Sequence, residues 1–264
     1  MTRIITGVLA GIGWLLLVFY SNLHIFLAVI CIVAVIMLHE FYRISLKNYQ
    51  EGPKLLGVLL GIIPLIASLS GRPETVSAGL FLSLLLLFCF TICRYSSLKD
   101  PFNYMTKLLF GIIYIGFCAA HLVLLRARPE GTDLLLILTS LIIASDSVAY
   151  YTGRLFGTKK LCPAVSPGKT VQGFVGGILG GAITGIIMTR LLLPQKNLLP
   201  VAAVFIVIAA IGVVGDLTES IIKRSGDTKD SGSILPGHGG VLDRLDSLLI
   251  TTPVFFYLTY YGIF

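Results

Sequence analysis

LPVAAVFIVIAAIGVVGDLTESIIKR, residues 199–224, decides the fold class. From Leu199 to Gly215 the stretch carries no charge, and then Asp216, Glu219, Lys223 and Arg224 enter without a break in the apolar pattern. A hydrocarbon core of about 30 Å takes roughly 20 apolar residues at 1.5 Å per residue. Residues 199–222 therefore read as a membrane span with a chemically equipped end. Asp216, Glu219 and Lys223 stand at i, i+3 and i+7, on one helical face. Glu219 and Lys223 alone would pass as a surface i, i+4 pair. Asp216 lies about 12 Å along the helix from Arg224, and a carboxylate at that depth is a functional hypothesis by default.

The same apolar texture extends over the whole chain. Of its 264 residues 56% are hydrophobic and 12% charged, with mean hydropathy +0.92, whereas soluble domains run near a quarter charged. Nine spans are read at 4–20, 25–42, 55–70, 78–93, 108–125, 133–151, 171–193, 199–222 and 247–264. The third is the weakest, being short and interrupted by Pro64. The first is taken as a helix and not as a secretory signal, because no small-x-small cleavage site follows. The expected fold is an all-α polytopic membrane protein, with scaffold helices over 1–130 and catalytic loops over 131–264. With nine spans, all of the 20 lysines and arginines except Arg72, Arg126, Arg128, Arg190 and Lys196 fall on one side. That asymmetry sets the N-terminus and those loops in the cytoplasm, at an inner (cell) membrane. The formal net charge of +7 then describes a surface for anionic headgroups and phosphates, not for nucleic acid.

Several classes are excluded or disfavoured. Cys31, Cys89, Cys93, Cys118 and Cys162 show no C-x-x-C spacing, and four lie inside spans, where a thiol acts as a small hydrophobe. His39-Glu40 lacks the second histidine of H-E-x-x-H. No internal repeat is evident, which disfavours the inverted-repeat transporters. Spans one to five carry almost no buried charge, so chemistry is expected beyond Asp146.

Three polar stretches follow. Asp146 lies about 10 Å short of the cytoplasmic end of span six; pairing with Arg154 or a lysine is the structural alternative to a functional role. In Ser166-Pro167-Gly168-Lys169-Thr170, the Ser-Pro-Gly run is expected to turn the chain and free N–H groups. Lys169 and Thr170 then bring a cation and a hydroxyl to the next helix N-terminus, a natural phosphate site. Gly173, Gly177, Gly181 and Gly185 form a small-residue packing face. Finally, the loop from Ser225 to Gly240 leads into Asp243, Arg244 and Asp246. Gly237, Gly239 and Gly240 are expected to cup an anion, and carboxylates beside cations at a membrane interface point to metal ions holding phosphates.

The residues Lys223-Arg224, Lys229-Asp230-Ser231-Gly232 and Leu235-Pro236-Gly237-His238-Gly239-Gly240-Val241-Leu242-Asp243-Arg244-Leu245-Asp246 closely resemble the C-terminal motif of the phosphatidate cytidylyltransferases, or CDP-diacylglycerol synthases. Asp146 with Ala149-Tyr150 and Gly153, Ser166-Pro167 with Lys169-Thr170 and Gly173, and Gly215-Asp216 with Glu219-Ser220 resemble that family's other polar stretches. The detailed resemblance covers roughly residues 140–250. It implies CMP transfer from CTP to phosphatidic acid, giving CDP-diacylglycerol and pyrophosphate, with Mg²⁺ and room for a second cation. Asp146, Lys169, Asp216 and Asp243 are the implied catalytic residues. Asp216 and Asp243, then Asp246 and Glu219, are the implied metal ligands, with Asp216 and Asp243 expected on one ion. Ser166, Thr170, Lys223, Arg224, Lys229, Asp230, His238, Gly239, Gly240 and Arg244 are the implied substrate contacts. His238 serves equally as a phosphate donor or as a loop-ordering residue. The expected partners are CTP, phosphatidic acid and the bilayer, with a homodimer as an open assembly. Where the family usually places a glutamate two residues after the Lys-Thr pair, this chain has Gln172, which brings no charge to a cation.

Two other readings are weighed. A CTP-dependent polyprenol or phytol kinase shares the nucleotide and an apolar substrate. An ion-coupled transporter would place Asp146 and Asp216 on a conduction path, but leaves the loop from 225 to 240 without a purpose. A CDP-alcohol phosphatidyltransferase is a poor match, since its D-G-x-x-A-R pattern is missing.

Overall fold

The computed structural model describes residues 2–47, 49, 51–234 and 239–264. Among them the helices are α1 (Thr2–Tyr20), α2 (Leu23–Ser45), α3 (Glu51–Ala67), α4 (Pro73–Cys93), α5 (Pro101–Gly111), α6 (Cys118–Arg126), α7 (Gly131–Phe156), α8 (Val171–Leu192), α9 (Leu198–Ser225) and α10 (Leu242–Tyr260). A π-helical stretch, Ile112–Phe117, joins α5 to α6, so Pro101–Arg126 runs as one helical span. Each of the nine expected spans is helical among the described residues. Six helices are long and apolar enough to cross a membrane: Leu23–Ser45, Pro73–Cys93, Pro101–Arg126, Gly131–Phe156, Val171–Leu192 and Leu198–Ser225. Ile5–Tyr20 and Lys54–Ser70 are shorter apolar helices, and α10 carries Asp243, Arg244 and Asp246 in its first turns.

Local chemistry sets several helix starts. The Asn22 side chain accepts from the Ile25 N–H at 2.9 Å and opens α2. The Asp100 side chain accepts from the Asn103 N–H at 3.1 Å, with Pro101 in the first turn of α5. Such caps satisfy donors that the helix itself leaves open.

The chain divides into two compact units, Met1–Arg128 with Ile222–Arg244, and Pro129–Ile221 with Leu245–Phe264. The segment 222–244 groups with the first helices. In the first unit α2 contributes Tyr42, Phe26, Met37 and Leu38, which are among the largest fully buried side chains. The Tyr42 hydroxyl donates to the Leu108 carbonyl at 3.0 Å. Within spans one to five the one charged residue, Glu40, is buried at 2% exposed, and Lys54, just before span three, is 9% exposed.

In the second unit α8 packs along α7. The glycine face works as expected: added Cβ atoms would meet the Ala149 carbonyl from Gly173, the Ser145 carbonyl from Gly177 and the Leu141 carbonyl from Gly181, at 2.8–3.3 Å. On the other side of α8 Val175, Leu179, Ile183 and Ile187 are exposed at four-residue spacing. That stripe is the surface a helix presents to lipid tails, and the chain is a membrane protein. One local expectation is overturned. Ser166-Pro167-Gly168-Lys169-Thr170 is not a turn but a strand, β2 (Ser166–Thr170), paired antiparallel with β1 (Lys160–Cys162). The turn falls at Pro163–Val165 instead, and the N–H groups expected to be free belong to a hairpin.

Candidate functional site

In the second unit, three carboxylates gather at the ends of two helices. Asp216 and Glu219 come from α9 and Asp246 from α10, each with one oxygen within 4.8 Å of the others'. Glu219 is 1% exposed and Asp246 8%, while the Asp216 side chain stays partly open to solvent. Gly215 explains how the helices come close enough. A Cβ there would stand 2.7 Å from the Asp246 carbonyl oxygen and 3.0 Å from the Ser247 Cα. Only a residue without a side chain lets α9 lie against that backbone, and its neighbour Asp216 is thereby brought to Asp246.

Lys169, near the end of β2, places its Nζ 2.5 Å from Asp216 Oδ2. Thr170 ends the strand and caps α8, its Oγ1 accepting the Gly173 N–H at 3.1 Å. The hairpin is tied down by Gln172, whose Oε1 accepts the N–H groups of Thr158 at 3.2 Å and Lys159 at 3.3 Å. Its Nε2 reaches Thr158 Oγ1 at 2.5 Å. Gln172 thus holds the loop that carries Lys169, a task for which an amide serves as well as a carboxylate.

Carboxylates this close repel unless a cation stands among them. Lys169 supplies one positive charge, at Asp216. Ligand oxygens around a hard divalent cation lie no more than about 4–5 Å apart at metal–oxygen distances near 2.0–2.6 Å, and these three lie within 4.8 Å of one another. Asp216, Glu219 and Asp246 are therefore residues that could hold a divalent cation.

The first unit contains a different arrangement. Asp243 Oδ1 accepts from Lys223 Nζ at 2.8 Å, while Oδ2 accepts the N–H groups of Ser231 at 2.9 Å and Gly240 at 2.8 Å. Glu40 Oε1 accepts the N–H of Val241, and Oε2 the N–H of Leu242 and the hydroxyl of Ser231. The Gly240 N–H, expected to help cup an anion, is directed at Asp243, and the N–H groups of Val241 and Leu242 are directed at Glu40.

The expected site residues thus fall into three sets. Asp216, Glu219, Asp246 and Lys169 come together. Asp243, Lys223 and Gly240 are joined in the other unit, with Gly239 beside them. Asp146, Arg224, Lys229, Asp230 and Arg244 are exposed, and Ser166 is half-buried. His238, with Leu235, Pro236 and Gly237, lies outside the described residues. The residue that sequence reasoning missed is Glu40. Its signal was there, an acidic residue inside an otherwise apolar span, but it was weighed only as half of a zinc motif.

The model of the Cytidylyltransferase family matches residues 1–262, well beyond the stretch whose motifs stand out by eye. The phosphatidate cytidylyltransferase of Bacillus subtilis (strain 168) is 35% identical over 265 residues, covering 97% of this chain and 96% of that protein. The phosphatidate cytidylyltransferase of Staphylococcus epidermidis is 32% identical over 255 residues, covering 96% of each. That of Haemophilus influenzae is 42% identical over 136 residues, covering 50% of this chain and 47% of its own.

Proposed function

The chain belongs to the cytidylyltransferase family, and we propose that it transfers CMP from CTP to phosphatidic acid, releasing pyrophosphate and forming CDP-diacylglycerol. The observation that carries this reading at the level of chemistry is the carboxylate group Asp216, Glu219 and Asp246 with Lys169 against it.

A phosphate monoester loses its second proton near pH 6, so the phosphate of phosphatidic acid is already a nucleophile at neutral pH. One of its oxygens forms a bond to the α-phosphorus of CTP. The bond from that phosphorus to the oxygen bridging to the β-phosphorus breaks, and pyrophosphate leaves with the electron pair. No strong base is needed. The demand on the protein is to align two polyanions in line and to offset their charge. Asp216, Glu219 and Asp246 would hold Mg²⁺, which when bound neutralises triphosphate oxygens and the departing pyrophosphate. Lys169 adds a second positive charge at Asp216, and Gln172 and Thr170 fix the hairpin that presents it. Asp243 is assigned to ordering the loop between α9 and α10, since Lys223 and two N–H donors occupy its oxygens. Arg224, Lys229 and Arg244 are carried over from the resemblance as phosphate contacts. The distribution of lysines and arginines supports a cytoplasmic N-terminus and a reaction at the cytoplasmic face of the cell membrane.

The deciding experiment supplies purified protein with phosphatidic acid and CTP labelled at either the α- or the γ-phosphate. Label from the α-phosphate should enter the lipid and label from the γ-phosphate should appear in pyrophosphate. Lipid that takes up the γ-label would instead identify a lipid kinase. Ion flux into liposomes without nucleotide would identify a transporter.

A further inference from the structure

Glu40 stands near the end of α2 and is 2% exposed. Its Oε1 accepts the N–H of Val241 at 3.1 Å, and its Oε2 accepts the N–H of Leu242 at 2.9 Å and the hydroxyl of Ser231 at 3.2 Å. A buried carboxylate is tolerated when donors surround it, and these donors come from the interior and the far end of one loop. Val241 and Leu242 open α10, where a helix leaves N–H groups unpaired and its dipole favours negative charge. Glu40 is therefore a helix cap supplied by a residue 202 positions before Leu242.

A second, independent observation concerns the loop's glycines. The three nearest atoms to a Cβ at Gly232 would all belong to the Glu40 side chain, with Oε1 in hard collision and Cδ at 2.8 Å. A Cβ at Gly240 would stand 2.7 Å from Glu40 Oε2 and 2.6 Å from the Gly232 nitrogen. The loop wraps this carboxylate so closely that neither position admits a side chain.

Asp243 uses the alternate donors of the same segment. Ser231 gives its N–H to Asp243 and its hydroxyl to Glu40; Gly240 gives its N–H to Asp243, and the next two residues give theirs to Glu40. We propose that Glu40 is a positioning residue for CMP transfer, tying Ser231 within the α9–α10 loop to Val241 and Leu242 at its far end so that Asp243 and Lys223 keep one arrangement during turnover. This rests on the reading of the chain as a phosphatidate cytidylyltransferase. In this role Glu40 acts through Ser231, Val241 and Leu242.

The test uses purified full-length wild type, Glu40→Gln, Glu40→Asp, Glu40→Ala, Gly232→Ala and the double variant Glu40→Ala/Gly232→Ala. Three quantities are measured: amide exchange at 241–242, CDP-diacylglycerol formation, and the thermal midpoint. Glu40→Gln keeps the length but turns an amide N–H₂ toward donors, so exchange at 241–242 should speed up about tenfold or more. Its kcat should fall by a similar factor while the thermal midpoint stays close to wild type. Glu40→Asp, which restores the carboxylate, should recover part of the kcat. Gly232→Ala leaves Glu40 in place but displaces its carboxylate, so it should show the same exchange even if a Glu40 variant fails to fold. Neighbours in contact are non-additive; the double variant should be no less active than Glu40→Ala alone. Wild-type exchange at 241–242 in Glu40→Gln and Gly232→Ala would overturn the anchoring. Faster exchange with wild-type kcat, or losses that only follow the thermal midpoint without rescue by aspartate, would overturn the positioning role. Failure of the wild type to form CDP-diacylglycerol would sink the functional reading instead, and the exchange data would still decide whether Glu40 holds the loop.

Discussion

Gly215→Ala adds one methyl group where α9 meets α10. The new Cβ would stand 2.7 Å from the Asp246 carbonyl oxygen and 3.0 Å from the Ser247 Cα, whereas ordinary contact begins at 3.4 Å. Both atoms are backbone and no side chain can swing aside, so the helices must part by about 0.7 Å locally. Overpacking of this kind costs about 1–3 kcal/mol, while alanine gains about 1 kcal/mol over glycine in a helix. The variant should therefore fold. The carboxylates fare worse. Metal–oxygen distances tolerate about 0.2 Å, and a misplacement near 1 Å in a reacting assembly costs about a hundredfold in rate. Turnover should fall by about that factor, and the Mg²⁺ concentration for half-maximal rate should rise. The assay is CDP-diacylglycerol formation against Mg²⁺ for wild type and variant, with a thermal melt to show that both are folded. Wild-type turnover with an unchanged Mg²⁺ requirement would refute the argument that the approach at Gly215 assembles the site.

Removing the charge of Lys169 should abolish most activity in Lys169→Met, while Lys169→Arg keeps a measurable part; wild-type turnover in the methionine variant would reduce β2 to a surface connector. Asp216→Asn and Asp246→Asn should each cost about a hundredfold or more, and the double variant little beyond either, because residues that act as a unit are non-additive. Raised Mg²⁺ should partly restore the singles, and fully multiplicative losses would show that the two do not share an ion. Gln172→Glu should stay within about threefold of wild type, since a carboxylate still accepts from the Thr158 and Lys159 N–H groups and the Thr158 hydroxyl can turn to donate. Single cysteines at Ser166 and the exposed Ser233 in a cysteine-free background should react only with reagent that reaches the cytoplasmic face; labelling from outside sealed cells at either position would overturn the orientation.

The helices were legible because bilayer thickness imposes length and hydropathy on each one independently, and residues such as Leu199 to Gly215 satisfy both without reference to any neighbour. The face shared by Asp216 and Glu219 was legible for the same local reason, a spacing of three. The third member of the group was not. Asp243 and Asp246 also stand three apart, and periodicity cannot say which of them meets Asp216. That is settled by where two helices touch, and the touching point is fixed by an absent side chain at Gly215 against Asp246 and Ser247. The hairpin was misread because Ser166-Pro167-Gly168 carries strong turn chemistry, whereas the pairing of β1 with β2 depends on Thr170 and Gln172 holding the segment at its far end.

Glu40 follows the same rule at longer range. Its partners, Ser231, Val241 and Leu242, lie 191 to 202 residues away, so no local window contains the reason for its burial. What a sequence does display is the cost: a carboxylate within an apolar helix must be met by donors or by a cation. The glycines at 232 and 240, which look like the flexible cradle of a bound phosphate, are the other half of the account. They are small because Glu40 and its hydrogen-bonded loop occupy the space. A glycine-rich loop in this chain is thus a mould around an internal anion as much as a socket for an external one, and the charge that shapes it comes from the half of the protein with the plainest sequence.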